Sequence, residues 1–303
     1  MNLLYMLEKI RFPGLDALMQ TVTRLGEETA FLVAALIVFW CIDKKKGYYL
    51  LAVGYLGTLF GQFLKITCRI PRPWVLDENF TIVESARELA VGYSFPSGHS
   101  LTAVGTYGAI AYTAKRRWVK LLCIAAMALV PFSRMYLGVH TPADVLTGAA
   151  ISLVLIVSLQ PVVFSREEKP MAILVLSMVL CAVAYLAYVN FWNFPADVDA
   201  HQLESAMKNA VTLFGSVLAV PIVYWADRKR NFPVRAVWWV QIIKVVAGLL
   251  LVLAVKEGLK APLELVLPIL PARALRYFLV VLTAGVLWPM SFPVLSRLGE
   301  KKE

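Results

Sequence analysis

Three short stretches of this sequence carry side chains suited to holding and transferring a negatively charged group. The first runs from Lys65 through Arg69 to Arg72 and Pro73, at the end of an apolar run. Basic residues at such a place ordinarily extend their charges to the membrane interface, so this stretch alone decides nothing. The second is Pro96, Ser97, Gly98, His99 and Ser100, just ahead of another apolar run. A Ser-Gly turn that opens a helix leaves unpaired backbone N–H groups and the positive helix end facing outward, which makes an anion site. An ordinary helix cap with an incidental histidine would read the same way. The third contains Ser133, Arg134, His140, Thr141, Pro142 and Asp144. Thr141 and Pro142 suit the N-cap and first position of a helix, which places His140 just before a second helix N-terminus. Asp144, four residues on, can reach back to one imidazole nitrogen, fixing the tautomer and raising the basicity of the other, as a nucleophile requires. His140 with Asp144 could also bind zinc. Lys65, Arg72 and Arg134 argue against that, since three cations repel Zn²⁺ and attract phosphate, and the chain has only three histidines.

The elements that must position these residues are membrane helices. Of the 303 residues, 59% are hydrophobic and 17% charged, well beyond a soluble domain's usual apolar share. Apolar runs long enough to cross a bilayer recur along most of the chain. The expected fold is all-α, a polytopic transmembrane helical bundle of about nine spans, at 29–43, 47–67, 100–114, 118–134, 144–164, 171–192, 208–226, 236–255 and 274–294. The net charge of +10 sits in short connectors such as Lys44–Lys46, Lys115–Arg117, Arg228–Arg230 and Lys301–Lys302, a topology signal rather than a nucleic-acid groove. These connectors follow alternate spans, which predicts an outside N-terminus, a cytoplasmic C-terminus and all three motif stretches on the outer face. Residues 1–26 alternate apolar and charged side chains, with Pro13-Gly14 interrupting, and suit an amphipathic segment in the interface. No cleavable signal peptide is expected. Cys41, Cys68, Cys123 and Cys181 are scattered and suggest neither a disulfide framework nor a zinc site.

In chain order the stretches spell Lys-x6-Arg-Pro, Pro-Ser-Gly-His and Ser-Arg-x5-His-x3-Asp. This resembles the three-part signature of the type 2 phosphatidic acid phosphatases (PAP2) and the vanadium haloperoxidases, over about residues 28–160. The resemblance implies a PAP2-like catalytic core at 27–165, with further transmembrane helices at 166–303. It implies that Lys65, Arg72 and Arg134 hold the phosphate oxygens, aided by Ser97 and the Gly98 amide. His140 would attack phosphorus, Asp144 would orient it, and His99 would protonate the leaving alcohol and then activate water. No metal or other cofactor is implied, because fixed cations and amides meet the transition-state charge. The expected partner is a membrane lipid phosphate or diphosphate in the bilayer, not nucleic acid, and the expected location a bacterial cytoplasmic membrane. Many bacterial lipid phosphatases of this kind place the Lys/Arg motif after a third span of six. Here it follows the second, with four spans after the core, which looks more like the glucose-6-phosphatase and sphingosine-phosphate phosphatase branches. Transfer of phosphate to another lipid and action on a sugar phosphate are alternatives at the same site. A transporter is the alternative of a different class, but its site would lie at midplane rather than at helix ends.

Outside the motifs, residues 74–94 carry Trp74, Phe80, Tyr93, Asp77, Glu78, Glu84 and Glu88, a loop able to cover a headgroup or simply to connect. Lys244, inside an apolar run, is expected to snorkel past Trp238 and Trp239. His201 is expected at the surface.

Overall fold

The computed structural model describes residues 1–87, 90–195 and 198–298, so that Glu88, Lys301 and Lys302 lie outside the described residues. In chain order its helices are α1 (Asn2–Glu8), α2 (Pro13–Thr23), α3 (Glu28–Ile37), α4 (Lys44–Cys68), α5 (Pro73–Leu76), α6 (Gly98–Thr113), α7 (Arg117–Tyr136) and α8 (Pro142–Val163). There follow α9 (Lys169–Phe191), α10 (Ala200–Leu218), α11 (Val220–Arg230), α12 (Trp238–Gly258), α13 (Lys260–Val266), α14 (Ile269–Leu282) and α15 (Phe292–Arg297). No strand occurs among the described residues.

Among the described residues, seven helical stretches are long and apolar enough to cross a membrane. An eighth is added if Pro13–Gly26 and Glu28–Ile42, bent by 50° at their junction, form one span. The expected nine overcounts. The apolar stretch at 100–114 lies in α6, which has 16 residues. At 1.5 Å per residue that is about 24 Å, short of a hydrocarbon layer of roughly 30 Å. The stretch at 29–43 is α3, only 10 residues long, continued by a π-helical turn over Val38–Ile42.

Backbone contacts divide the chain into two compact units, Met1–Ala34, Tyr49–Pro161 and Pro195–Leu203 in one, Ala35–Tyr48, Val162–Phe194 and Glu204–Glu303 in the other. In the first unit α6 is the inner helix. Leu101, Ala103, Val104, Gly105, Gly108 and Ala109 are all buried along it. Its small residues let neighbours approach closely. Ser152 of α8 donates to the Leu101 carbonyl at 2.7 Å, and the Cβ of an alanine at Gly57 of α4 would stand 2.7 Å from Leu101. The amino-terminal segment packs on the loop after α5. Leu4 clusters with Phe80 and Ile82, Met19 with Tyr136, Leu137 and Val139, and Arg11 donates to the Tyr136 and Thr81 carbonyls at 2.8 and 2.7 Å. Leu7 is buried as well, whereas Leu3, Met6, Ile10, Phe12 and Leu18 stay exposed.

In the second unit the basic connectors meet. Lys44 pairs with Asp227 at 3.0 Å, Lys45 donates to the Ser165 carbonyl at 2.9 Å, and Arg228 pairs with Glu168. Lys244 does not reach solvent as the snorkelling expectation had it. It is fully buried, its Nζ donating to the Pro233 and Val234 carbonyls at 3.2 and 3.3 Å and lying 4.6 Å from the Phe292 ring centroid. The lysine thereby satisfies the backbone of the strand-free segment leading into α12.

Candidate active site

All eight residues singled out from the three stretches fall in the first unit, at five helix ends. Lys65 occupies the last turn of α4, which Arg69 closes with a left-handed φ of 53°. That turn carries Arg72 into place as the N-cap of α5, held extended by the following Pro73. Ser97 caps α6 and its side chain accepts from the Ser100 amide. Beyond Gly98 nothing lies within 4 Å of where a Cβ would sit, so the helix N-terminus opens on free space. Arg134 ends α7. Gly138, at φ +81°, then turns the chain toward His140, and a Cβ there would lie 2.8 Å from the Arg11 guanidinium. Asp144 and Thr141 cap α8 reciprocally. Asp144 Oδ2 accepts from the Thr141 amide at 2.7 Å, and the Asp144 amide donates to Thr141 Oγ1 at 3.3 Å.

His140 is buried at the centre of this cluster. Arg72 Nη1 lies 2.9 Å from its Nε2. Arginine has only donors, so Nε2 must accept and the proton of the neutral ring stands on Nδ1. Nδ1 faces Asp144 Oδ2 at 3.5 Å, too long for a strong hydrogen bond, and Ser94 Oγ at 3.3 Å. Ser94 in turn donates to Asp144 Oδ2 at 2.5 Å. The imidazole is thus tied to Asp144 largely through Ser94, a residue that the motif spacing did not single out. The Ser97 amide donates to the Asp144 carbonyl at 3.0 Å, joining the second and third stretches.

The cations are fixed by backbone. Arg72 donates to the carbonyls of Gly92, Val139 and Val91 at 2.9, 2.9 and 3.0 Å, and Lys65 to that of Tyr93 at 3.0 Å. The end of the loop at 74–94 is therefore part of the site, not a free connector. Arg134, 1% exposed, donates to Thr23 at 3.0 Å and has a buried Nε without a partner. His99 Nε2 is likewise buried and unpartnered, and His99 lines a cavity of about 240 Å³ with Lys65, Gly98, Gln62, Thr58 and Glu27. Burial, then the positive charges of Arg72, Arg134 and Lys65, holds the His140 imidazole well below the usual histidine range. Burial and the same three cations press His99 down to about 3. This surrounding positive charge favours the neutral form of both rings. A doubly charged oxyanion set among the cations would relieve that pressure and return a proton to His99.

Two family models match the chain. Residues 45–168 match the PAP2 superfamily, and residues 207–301 match the PAP2 superfamily phosphatase transmembrane extension. The chain belongs to the PAP2 superfamily. It is an integral membrane protein. Phosphatidylglycerophosphatase B of Bacillus subtilis (strain 168) is 31% identical over 159 residues, 48% of this chain and 74% of that protein. Undecaprenyl-diphosphatase of Sulfolobus acidocaldarius is 30% identical over 135 residues, 44% of this chain and 64% of that protein. Sphingosine-1-phosphate phosphatase 1 of Mus musculus is 23% identical over 277 residues, 84% of this chain and 62% of that protein. The chain thus spans less than two thirds of the length of several relatives that it matches. No solved structure matches it significantly. The first family model spans every residue assigned to the site, from Lys65 to Asp144.

Proposed function

We propose that this protein is a metal-independent phosphatase that hydrolyses a lipid phosphate through a phosphohistidine at His140. The observation that carries the reading is the neutral His140 whose Nε2 lone pair points at Arg72 while its Nδ1–H is tied to Ser94 and Asp144. An incoming phosphate oxygen takes over the Arg72 N–H and frees Nε2 for attack. The P–O bond to the alcohol breaks as the N–P bond forms, and His99, recharged by the bound anion, gives its proton to the departing oxygen. Water then attacks phosphorus, His99 takes one of its protons, and the N–P bond breaks to release inorganic phosphate. Lys65, Arg72, Arg134 and the open N-terminus of α6 supply the positive charge that the transition state needs.

The named relatives act on phosphate groups borne by lipids, which supports a lipid substrate. The sphingosine-1-phosphate phosphatase similarity covers 84% of this chain, more than the core at 45–168 alone, against 48% for the phosphatidylglycerophosphatase. That favours a sphingoid or other single-chain phosphate as the first substrate to test. The basic connectors support a site on the extracytoplasmic face and a C-terminus in the cytoplasm. The deciding measurement is phosphate release by detergent-purified protein over a panel of lipid and soluble phosphates. Turnover on lipid phosphates, abolished in His140→Ala, is expected. Turnover that survives in His140→Ala, or that needs a soluble sugar phosphate, would overturn the reading.

A further inference from the structure

The second unit holds an arginine that nothing in the chain explains. Arg276 lies within the apolar helix α14 and is 7% exposed, yet it forms no hydrogen bond or ion pair among the described residues, and its Nε is buried without a partner. One turn earlier on the same face, Arg273 gives its Nε to Thr212 Oγ1 of α10 at 2.7 Å. Both guanidinium groups flank the Tyr277 ring, at 5.8 and 5.4 Å from its centroid. The nearest lysine on α10, Lys208, is neutralised by Glu204 at 2.6 Å, so α10 contributes no spare carboxylate from that pair. The two helices pack closely here, because a Cβ at Gly215 of α10 would clash with the Ala274 carbonyl. Arg273 and Arg276 are the fifth and eighth residues of α14, about 6–11 Å from its start at 1.5 Å per residue. With the start of α14 at the membrane surface, that is the depth at which headgroup gives way to hydrocarbon.

A charge at this depth that finds no protein partner is costly, and such residues pair with a ligand or with each other. Basic pockets between transmembrane helices bind the phosphates of anionic lipid headgroups, and arginine suits such a site because its fork presents two parallel donors to an oxyanion. We propose that Arg273, Arg276 and Tyr277 form a binding site for the phosphate of an anionic lipid, sharing no residue with the catalytic cluster. The bound oxyanion accepts from both guanidinium groups while the Thr212 hydroxyl keeps Arg273 turned toward it, and the acyl chains lie along α14.

The probe is phosphatidylglycerol, a phosphodiester, offered with phosphatidylcholine in mixed micelles to the full-length detergent-purified protein. The readout is lipid retained per protein by native mass spectrometry. Retention of phosphatidylglycerol over phosphatidylcholine is expected, falling about tenfold in Arg276→Gln and in Arg273→Gln. The surface variant Lys260→Gln removes one charge from a chain of net +10 and should retain lipid as the parent does. Equal retention in all variants, or an equal fall in Lys260→Gln, would overturn the proposal. Arg273→Gln keeps the test decisive should Arg276→Gln fail to fold. Millimolar inorganic phosphate displacing the lipid would assign recognition to the phosphate alone, and retention through it would assign recognition to the whole headgroup.

Discussion

At the scale of single residues, Ser94 joins the nucleophile candidate to its carboxylate. Partners of this kind that orient a reacting group typically change activity by about 10–100-fold. Ser94→Ala is therefore expected to lower kcat by at least about tenfold with KM little changed, and Ser94→Thr to restore most of it. A fall in KM-dependent binding alone, or no rescue by threonine, would show that Ser94 merely packs. The residues bearing charge were legible because their spacing sets them at helix ends in one order along the chain. Ser94 and Thr23 were not, because a serine that bonds a carboxylate across the fold looks locally like any loop serine. The depressed histidines carry a pH consequence. Both His140 and His99 sit below the ordinary value of 6.5 in the folded protein, His99 at about 3. An unfolded chain takes up protons below pH 6.5 that the folded one refuses, so the stabilisation is complete above 6.5 and lost as pH falls toward the folded values. Unfolding free energy should fall between pH 6.5 and 5, by at most about 1.4 kcal/mol per pH unit for each ring, and thermal midpoints in detergent should drop with it. Orthovanadate should flatten the drop by restoring charge balance at His99. A midpoint insensitive to pH across that window would contradict the neutral resting state.

At the scale of elements, α6 carries both the outcome and the error of reading spans from hydropathy. Its apolar run predicts a membrane helix, but hydropathy does not distinguish a helix solvated by lipid from one solvated by protein. The small residues Gly105, Gly108 and Ala109 belong to the second kind, buried against α4, α7 and α8. The bent pair α2 and α3 counts as a crossing only if its two arms form one span, and charged and apolar residues alternate where α2 packs on the loop at 74–94. The helix starts were more legible, because Ser97 and Thr141 are capping residues by type. Close approach of α8 to the start of α6 is what sets the anion-facing amides. A Cβ at Gly148 would stand 2.7 Å from the Ser97 carbonyl and 3.2 Å from the Leu101 amide, both backbone atoms. Overpacking of this kind costs about 1–3 kcal/mol. Gly148→Ala is expected to cut turnover at least about tenfold by moving Ser97 and Gly98, while the protein stays folded in detergent. Gly105→Ala, whose Cβ would meet Ser152 and Val53 at an ordinary 3.4 Å, is expected to keep near-parental turnover. Equal activity of the two would remove the helix contact from the account of the site.

At the scale of the whole molecule, the proposed sidedness of the site rests on the α6–α7 hairpin and not on whether the crossings number seven or eight. Within the first unit, α6 and α7 form a hairpin whose turn carries Lys115, Arg116 and Arg117, while its open end carries Ser97, Gly98 and His99 on one arm and Arg134 on the other. The 20 residues of α7 rise about 30 Å, the thickness of the hydrocarbon layer, so turn and site belong to opposite faces. Short loops rich in Lys and Arg stay cytoplasmic. On the proposed orientation the site faces outward, and the headgroup of an outer-leaflet lipid would reach His140 with its tails still in the bilayer. Single cysteines at Arg116 and at Glu78, both exposed, test this in a background with Cys41, Cys68, Cys123 and Cys181 replaced by serine. Arg116→Cys leaves Lys115, Arg117 and Lys120 in place, so the charge signal persists. An impermeant maleimide applied to intact cells should label Glu78→Cys and spare Arg116→Cys until the membrane is opened. The reverse pattern would put the phosphate site in the cytoplasm, and the substrate would then have to come from the inner leaflet or from solution.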